Sequence, residues 1–294
     1  MFKNSFKQVL KFILVMFFGL SFTTSALATT DENGAIIDNN TFATAYPIGY
    51  WKYHGSTVCR LKADETEAYF SFTANANDRV YARIALSQEL LNTGARIDIY
   101  NTSSQTRPID SGVNVVNSTY SSFIFANADA TTSQTFYIKV TRGNYVGDMF
   151  FSPSINNRIY SANGTFNFTG TASNAGNPNI LTNPNGVDSS VIYMDLTNNT
   201  TIPNRAIVKS ITTASTITPS MSGITHKILS AENNVWYTST VSSATYGAYA
   251  LTTANNLAVA RKWSFKYNAK PKGASTMKNV KATITYEYDL TNQF

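Results

Sequence analysis

The residues best suited to proton transfer in this 294-residue chain are its two histidines, His54 and His226. Either one would permit a Ser-His-Asp triad assembled across the fold, with histidine as the general base. The sequence has no Gly-x-Ser-x-Gly elbow for a serine nucleophile. It also has no His-Glu-x-x-His or paired-cysteine spacing for a transition metal. A histidine between strand residues is typical of a structural role, so we predict no catalytic residue and no enzyme.

Carboxylates offer a second route to catalysis, because glycoside hydrolysis needs only two of them. The second half of the chain contains five acidic residues: Asp188, Asp195, Glu232, Glu287 and Asp289. Glu287 and Asp289 alternate with tyrosines, which places them on one face of a strand. We expect these two to face water or to pair with lysines. A polymer-degrading enzyme with a dispersed carboxylate site is kept as an alternative.

The densest charge pattern lies in residues 261–281, which contain seven cations and no acid. Trp263, Phe265 and Tyr267 alternate with Lys262 and Lys266, which predicts a strand with buried aromatic residues and exposed lysines. Residues 271–273 (PKG) are typical of a loop tip that joins this strand to the next. The pattern indicates an anion-binding surface. The alternative is an edge strand that lysines protect from aggregation.

The predicted ligand-binding residues are Lys262, Trp263, Lys266, Lys270, Lys272 and Trp236. The lysines would supply charge, and a tryptophan would supply a ring for stacking. The expected partner is an extracellular polysaccharide, a cell-wall polymer or a protein, not a nucleic acid, and membrane insertion is not expected. Residues 197–222 form a hydroxyl-rich tract. Strands of this kind also occur in hairpins that toxins insert into membranes, so a pore former is a second alternative.

Alternation of apolar and polar residues, as in 80–86 and 136–140, predicts short strands separated by turns. Long helical patterns are missing. We therefore predict an all-β protein of two antiparallel, jelly-roll-like sandwich domains, residues 29–155 and 156–294. Residues 29–157 carry a net charge of −3 and residues 158–294 a net charge of +6. This difference in sign supports two domains.

The first 28 residues predict a cleaved export signal. Lys3, Lys7 and Lys11 precede an apolar run at 12–22, and residues 26–28 (ALA) supply a small-residue cleavage site. The mature protein is expected to be secreted, with noncovalent association with the cell surface as an option. Cys59 is the sole cysteine, so no intramolecular disulfide can form, and we expect it to be buried.

Four segments of the first half resemble the bacterial pre-peptidase C-terminal domain. They are residues 38–45 (DNNTFATA), 64–72 (DETEAYFSF), 97–100 (IDIY) and 135–140 (TFYIKV). Their order and spacing agree with that family across residues 38–155, and the resemblance implies a small β-sandwich. Such domains often accompany secreted proteases, so a partner or inhibitor of a protease is a third alternative. The second half resembles no family that we recognise.

The same resemblance implies a calcium site, because some members bind calcium near the opening segment. The residues at the matching positions that offer oxygen ligands are Asp38, Asn40, Asp64 and Glu65. The pattern departs from the family in two places, since the usual leading Glu aligns with Ile37 and a frequent Asp aligns with Asn40. No other cofactor is expected.

Overall fold

The computed structural model describes residues 27–53, 55, 57–104, 106–115, 122–241, 249–253 and 256–294. The predicted signal, apart from its last two residues, and His54 lie outside the described residues. The predicted all-β class is confirmed. The chain divides into two compact units, the first ending at Asn156 and the second spanning Asn157–Phe294. Nowhere in the described part of the chain does a helix reach the length and apolarity needed to cross a bilayer.

The regular structure of the first unit is mostly short strands. They are β1 (Thr29–Thr30), β2 (Ile36–Ile37), β3 (Tyr46–Tyr50), β4 (Cys59–Leu61), β5 (Glu67–Ala74), β6 (Arg79–Ala85), β7 (Arg96–Tyr100), β8 (Asp110–Ser111), β9 (Val113–Val115), β10 (Phe123–Asp129), β11 (Gln134–Thr141) and β12 (Met149–Asn157). One α-helix, α1 (Gln88–Asn92), and two 3-10 helices, Phe42–Thr44 and Trp51–Tyr53, complete the described part of this unit.

These strands form two sheets, ordered β1-β2-β4-β12-β6-β10-β9 and β3-β5-β11-β7-β8. The β2–β4 and β3–β5 pairs are parallel, which differs from the antiparallel prediction. The chain alternates between the sheets from β2 to β5. Neighbours within a sheet are therefore separated by a strand of the other sheet and run in the same direction. Phe70, Phe72 and Phe136 are among the fully buried residues of the core.

The second unit is built in the same way. Its strands are β13 (Ile159–Asn167), β14 (Ala172–Asn174), β15 (Val187–Asp188), β16 (Ile192–Asp195), β17 (Ile207–Thr218), β18 (Ile224–Ser230), β19 (Trp236–Thr238), β20 (Thr240–Val241), β21 (Tyr249–Leu251), β22 (Lys262–Ala269) and β23 (Ser275–Asp289). The β23 sheet has the order β13-β23-β17-β21-β20, with β14 also on β23. The β22 sheet has the order β15-β22-β18-β19, with β16 also on β22.

The core of the second unit lies between these two sheets. Trp263, Phe265 and Tyr267 of β22 share one buried cluster with Ala282 and Ile284 of β23. The inner faces of the two sheets therefore pack together, and their outer faces point away from each other. The segment 270–274 connects β22 to β23 and so passes from one sheet to the other.

Candidate ligand-binding surface

Trp263 does not belong to a ligand-binding surface. Its side chain is fully buried in the core, and its Nε1 donates a hydrogen bond to the Val259 carbonyl oxygen at 3.0 Å. The alternation in β22 is as predicted, but it places the tryptophan on the inner face. The prediction that Trp263 stacks on a ligand is wrong because the ring has no exposed face.

The lysines of β22 lie on the outer face, as predicted, but each has a carboxylate partner. Lys262 Nζ lies 3.5 Å from Asp195 Oδ2. Lys266 Nζ lies 2.8 Å from Asp188 Oδ2, and Lys227 Nζ of β18 lies 2.8 Å from the other carboxylate oxygen of Asp188. The charges of these lysines are largely compensated within the sheet.

Asp188 is the centre of this arrangement. Burial alone would raise the pKa of Asp188, but hydrogen bonds from Lys227, Lys266 and Asn268 outweigh it and lower the pKa to about 2. The carboxylate therefore stays ionised under ordinary conditions and connects β15, β18 and β22. In the sequence Asp188 is only one of five acids, and Lys227 lies outside the basic window at 261–281, so no local pattern indicates this contact.

Trp236 lies on β19 at the edge of the same sheet, opposite Leu229 of β18. Its ring is half-buried, and Lys266 Nζ lies 4.3 Å from the ring centroid. Lys262, Lys266 and Trp236 therefore share one outer face of the β22 sheet. The Lys266 ammonium is already engaged by both Trp236 and Asp188.

Lys270 and Lys272 differ from the lysines of β22. Both are exposed, and neither has a carboxylate partner among the residues that the structure describes. Their loop is held by backbone hydrogen bonds, from Lys270 N to Gly223 O at 3.3 Å and from Asn177 N to Pro271 O at 2.9 Å. The loops 175–186, 219–223 and 270–274 thus meet at one end of the second unit, which we call the basic end.

Gly176 permits the close contact between two of these loops. Its φ is +85°, and a Cβ placed there would lie 2.1 Å from the Lys272 carbonyl oxygen. A side chain at this position would collide with backbone atoms and would also be strained at that φ. Glycine therefore fixes the position of the lysine loop.

The second unit has eleven basic and five acidic side chains. Their ion pairs leave most of the unpaired basic side chains in one short stretch of the chain. All five acids bind a lysine or arginine, and together they use six of the cations. The cations without a carboxylate partner in the described structure are Arg205, Lys270, Lys272, Lys278 and Lys281. Four of these five lie between residues 270 and 281. Lys278 and Lys281 belong to the β23 sheet, so the basic window of the sequence is divided between two faces and the connecting loop.

His226 is a core residue. It is fully buried, its Nδ1 lies 2.8 Å from Thr213 Oγ1, and its ring stacks on Tyr249 with the centroids 3.6 Å apart. Burial lowers its pKa to about 3. Ser215 Oγ lies 3.4 Å from Nε2, but the third position of a triad is occupied by a hydroxyl rather than a carboxylate. The geometry makes His226 a structural residue, as the sequence analysis favoured.

The paired carboxylates of β23 also have structural partners. Glu287 Oε2 lies 3.0 Å from Lys209 Nζ, and Asp289 Oδ2 lies 3.0 Å from Arg158 Nε. The expectation that these acids face water or pair with lysines holds for Glu287, whereas Asp289 pairs with an arginine.

The structure does not assemble the implied calcium ligands. The Asp38 carboxylate binds the Lys62 ammonium at 2.5 Å, which lowers the pKa of Asp38 and places a cation where calcium would need to be. Asn40 Nδ2 and the Lys62 backbone N–H donate instead to Glu65, and Asp64 is exposed. In the ranges described above, no group of three or more acidic, histidine or cysteine side chains is arranged to hold a metal ion.

The opening segment that carries the family resemblance is structural. Asn39 is buried and its Nδ2 donates to the Tyr69 carbonyl oxygen at 2.8 Å, while Cys59 Sγ lies 3.8 Å from Asn39 Oδ1. Cys59 is fully buried, as predicted. Burial raises the pKa of its thiol to about 12.

The fold and its ion pairs define an all-β protein of two compact units whose second unit has a basic end. Its sequence is 47% identical over 290 residues to the uncharacterized protein YbdN of Bacillus subtilis (strain 168), covering 98% of this chain and 99% of that one. The chain belongs to the YbdN family. No family model matches it.

Two solved structures show weaker likeness. The pre-peptidase C-terminal domain of collagenase from Bacillus anthracis is 17% identical with a TM-score of 0.30, covering 38% of this chain and 94% of that domain. A putative secreted protein from Eubacterium rectale is 9% identical with a TM-score of 0.34, covering 90% of this chain and 87% of that one. At these scores the assignment of residues 38–155 to the pre-peptidase family stays a prediction.

Proposed function

We propose that this protein is a secreted, non-catalytic binding protein that recognises an anionic extracellular polymer or another anionic component of the cell surface. The contact surface is the basic end of the second unit, with Lys270 and Lys272 as its principal charges. The observation that carries this proposal is the pairing pattern, which leaves four uncompensated lysines between residues 270 and 281 and uses every acid of the unit elsewhere.

Uncompensated cations attract polyanions more strongly than paired ones. A lysine whose carboxylate partner lies within 3 Å contributes little to the field beyond the pair, whereas an unpaired lysine acts over about 8–10 Å at physiological salt. The proposal therefore moves the centre of the predicted site from Lys262 and Lys266 to the connecting loop. Trp236 and the paired lysines of β22 lie on an adjoining face of the same unit, outside the proposed contact surface.

The polymer classes that fit are acidic polysaccharides and the phosphate-containing polymers of a cell wall. Both repeat a negative charge along a flexible chain, so two or more lysines can be engaged at once. The predicted export signal supports an extracellular polyanion over a nucleic acid.

Co-sedimentation of the mature protein with purified Gram-positive cell walls, at low and high salt, tests this function. The wild type is expected to pellet at low salt and to be released as salt rises. Lys270→Gln combined with Lys272→Gln is expected to weaken binding by about tenfold or more and to reduce its dependence on salt.

The matched control is Lys209→Gln combined with Lys262→Gln. This pair removes the same charge from side chains that are 51% and 70% exposed but have carboxylate partners. It should retain binding. Equal losses for both double variants would show that only net charge matters and would overturn the assignment of the basic end. Absence of binding by the wild type to walls and to any other polyanion would overturn the function itself.

A further inference from the structure

Two adjacent aliphatic side chains stand exposed at the basic end. Ile180 is 48% exposed and Leu181 is 89% exposed, at the tip of the loop 175–186. Large apolar residues scattered singly are normal on a protein surface. Two in succession at the tip of a loop are a local apolar feature that the polyanion-binding function does not use.

The loop that presents these residues is internally bonded. Asn177 Nδ2 donates to the Asn183 carbonyl oxygen at 2.9 Å and closes the loop. Asn183 N donates to Asn179 O at 2.9 Å, and Leu181 N donates to Asn179 Oδ1 at 3.0 Å, which forms a turn around the tip. The hydrogen bonds of this loop therefore hold Ile180 and Leu181 outward instead of letting them fold back on the core.

The apolar tip lies beside the uncompensated lysines. Asn177 N bonds to Pro271 O, and Gly176 packs directly against the Lys272 backbone, so the two loops share one end of the sandwich. The sequences of the loops 175–186, 219–223 and 270–274 contain no acidic residue. This end thus combines two exposed aliphatic side chains and two unpaired cations with no opposing charge.

We propose that the basic end docks on the surface of an anionic lipid bilayer. Lys270 and Lys272 would contact lipid phosphates, and Ile180 and Leu181 would enter the boundary between head groups and acyl chains. This inference rests on the proposed function and names the partner of the same site. A soluble polyanion would satisfy the lysines alone, whereas an anionic membrane satisfies both the lysines and the aliphatic tip.

The contact is peripheral. Each lysine near an anionic leaflet adds a modest, salt-sensitive attraction, and a few buried aliphatic groups add a salt-insensitive one. Stable membrane association of a peripheral protein takes two such signals together. We therefore expect that loss of either pair of residues will release the protein from the membrane.

The test is sedimentation of the mature full-length protein with vesicles of phosphatidylglycerol and phosphatidylcholine in equal parts, compared with vesicles of phosphatidylcholine alone. The wild type should bind the anionic vesicles and not the neutral ones. Ile180→Ser combined with Leu181→Ser should lower binding to anionic vesicles by about tenfold or more. The same variant should bind heparin-agarose, a lipid-free polyanion, as the wild type does.

The matched control is Ile207→Ser combined with Val235→Ser, whose side chains are 36% and 48% exposed. Ile207 begins β17 and Val235 follows β18, so both lie at the opposite ends of these strands from the loop 219–223. This control should bind vesicles normally. Unchanged vesicle binding by the Ile180 and Leu181 variant would overturn the membrane inference. Binding to cell walls or heparin without binding to anionic vesicles would also overturn it and leave the proposed function standing. Failure to bind any of these probes would overturn both.

Discussion

The ammonium of Lys266 and the carboxylate of Asp188 lie 2.8 Å apart on the outer face of the β22 sheet. Lys227 faces Lys266 directly across the β18–β22 ladder, so two like charges would repel each other there without Asp188. One carboxylate thus bridges a cross-strand pair of lysines, offsets one of their two charges and links β15 to the sheet.

Replacing Asp188 with Asn is expected to reduce the free energy of unfolding by about 1 kcal/mol, because the amide keeps the shape but has no charge to offset the repulsion between the two lysines. The pKa of about 2 adds a pH dependence. The unfolded chain binds this proton below about pH 3.8 and the folded protein only near pH 2, so the stabilisation is present above pH 3.8 and is lost as pH falls toward 2. Urea denaturation at pH 7 measures the first effect.

The control for this prediction is Asp195→Asn, which removes an equal charge from the exposed pair with Lys262. It should unfold at the wild-type urea concentration, because exposed pairs contribute little. A second variant, Lys227→Met combined with Asp188→Asn, should recover part of the lost stability by removing one of the two opposed charges. Identical midpoints for Asp188→Asn and the wild type would contradict the role of Asp188.

Because the imidazole of His226 is buried, we expect the protein to lose stability in mild acid. Its pKa is lowered from 6.5 to about 3 by burial, so the unfolded chain takes up a proton below about pH 6.5 while the folded protein does not. The free energy of unfolding should therefore fall as pH decreases through this window, by about 1.4 kcal/mol for each pH unit below 6.5. Between pH 7 and pH 5 the expected loss is about 2 kcal/mol.

Denaturation at several pH values between 7 and 5 checks this slope, since the carboxylates scarcely titrate there. Trp51→Phe restricts the fluorescence signal to Trp236 and Trp263 of the second unit. His226→Gln should flatten the dependence of stability on pH, because the variant lacks the proton-binding group. The overall stability of this variant should be lower. A flat profile in the wild type would refute the burial argument.

The local pattern of β22 could be predicted from the sequence, but its charge balance could not. Alternation identified the strand and its two faces, because side chains in a strand repeat every two residues. Which face of β22 points inward determines which of its residues a ligand can reach. The aromatic face is inside because burying aromatic side chains is favourable. Asp188 reaches Lys266 from 78 positions away in the sequence, and no local pattern indicates such a pair.

The exposed apolar tip at Ile180 and Leu181 could not be predicted from the sequence either. In the sequence these residues lie in a segment rich in glycine, proline and asparagine, which predicts a loop but not the direction of its side chains. Its closeness to Lys272 comes from the packing of Gly176 on the lysine loop. Contacts between loops depend on how the sheets place their ends, which a single sequence does not reveal.

Substitution of the two tryptophans of the second unit is expected to change stability by very different amounts. Trp263→Phe should destabilise the protein by about 1–3 kcal/mol, because it leaves a cavity in a fully buried site and removes the donor to Val259. Trp236→Phe should change stability by less than about 0.5 kcal/mol, because the ring is only half-buried at a sheet edge. Thermal and urea unfolding of both variants would measure this difference, and comparable losses would contradict the assignment of the two faces.

Cys59 should be inert to thiol reagents in the folded protein. Its thiol is fully buried, and a pKa of about 12 leaves about one molecule in ten thousand as thiolate at pH 8. Labelling with a maleimide at pH 8 should proceed only through unfolding of the first unit and should become complete in concentrated urea. Rapid stoichiometric labelling of the native protein would show that the thiol is accessible. Because Cys59 is the sole cysteine, the labelling rate reports on that unit alone.

Gly176→Ala should disturb the basic end from a residue that carries no charge. The added Cβ would lie 2.1 Å from the Lys272 carbonyl oxygen, and alanine is also strained at a φ of +85°. We expect a loss of about 2 kcal/mol in the free energy of unfolding and weaker binding to cell walls, because the lysine loop must move to relieve the collision.

The comparison for this variant is Gly273→Ala, in the lysine loop itself, where an added Cβ would meet no atom within 4 Å. It should leave both stability and wall binding near the wild-type values. If the two alanine variants behave alike, the contact between Gly176 and Lys272 does not position the loop. If Gly176→Ala loses stability but binds walls normally, the exact position of Lys270 and Lys272 is unimportant and their charge alone determines binding.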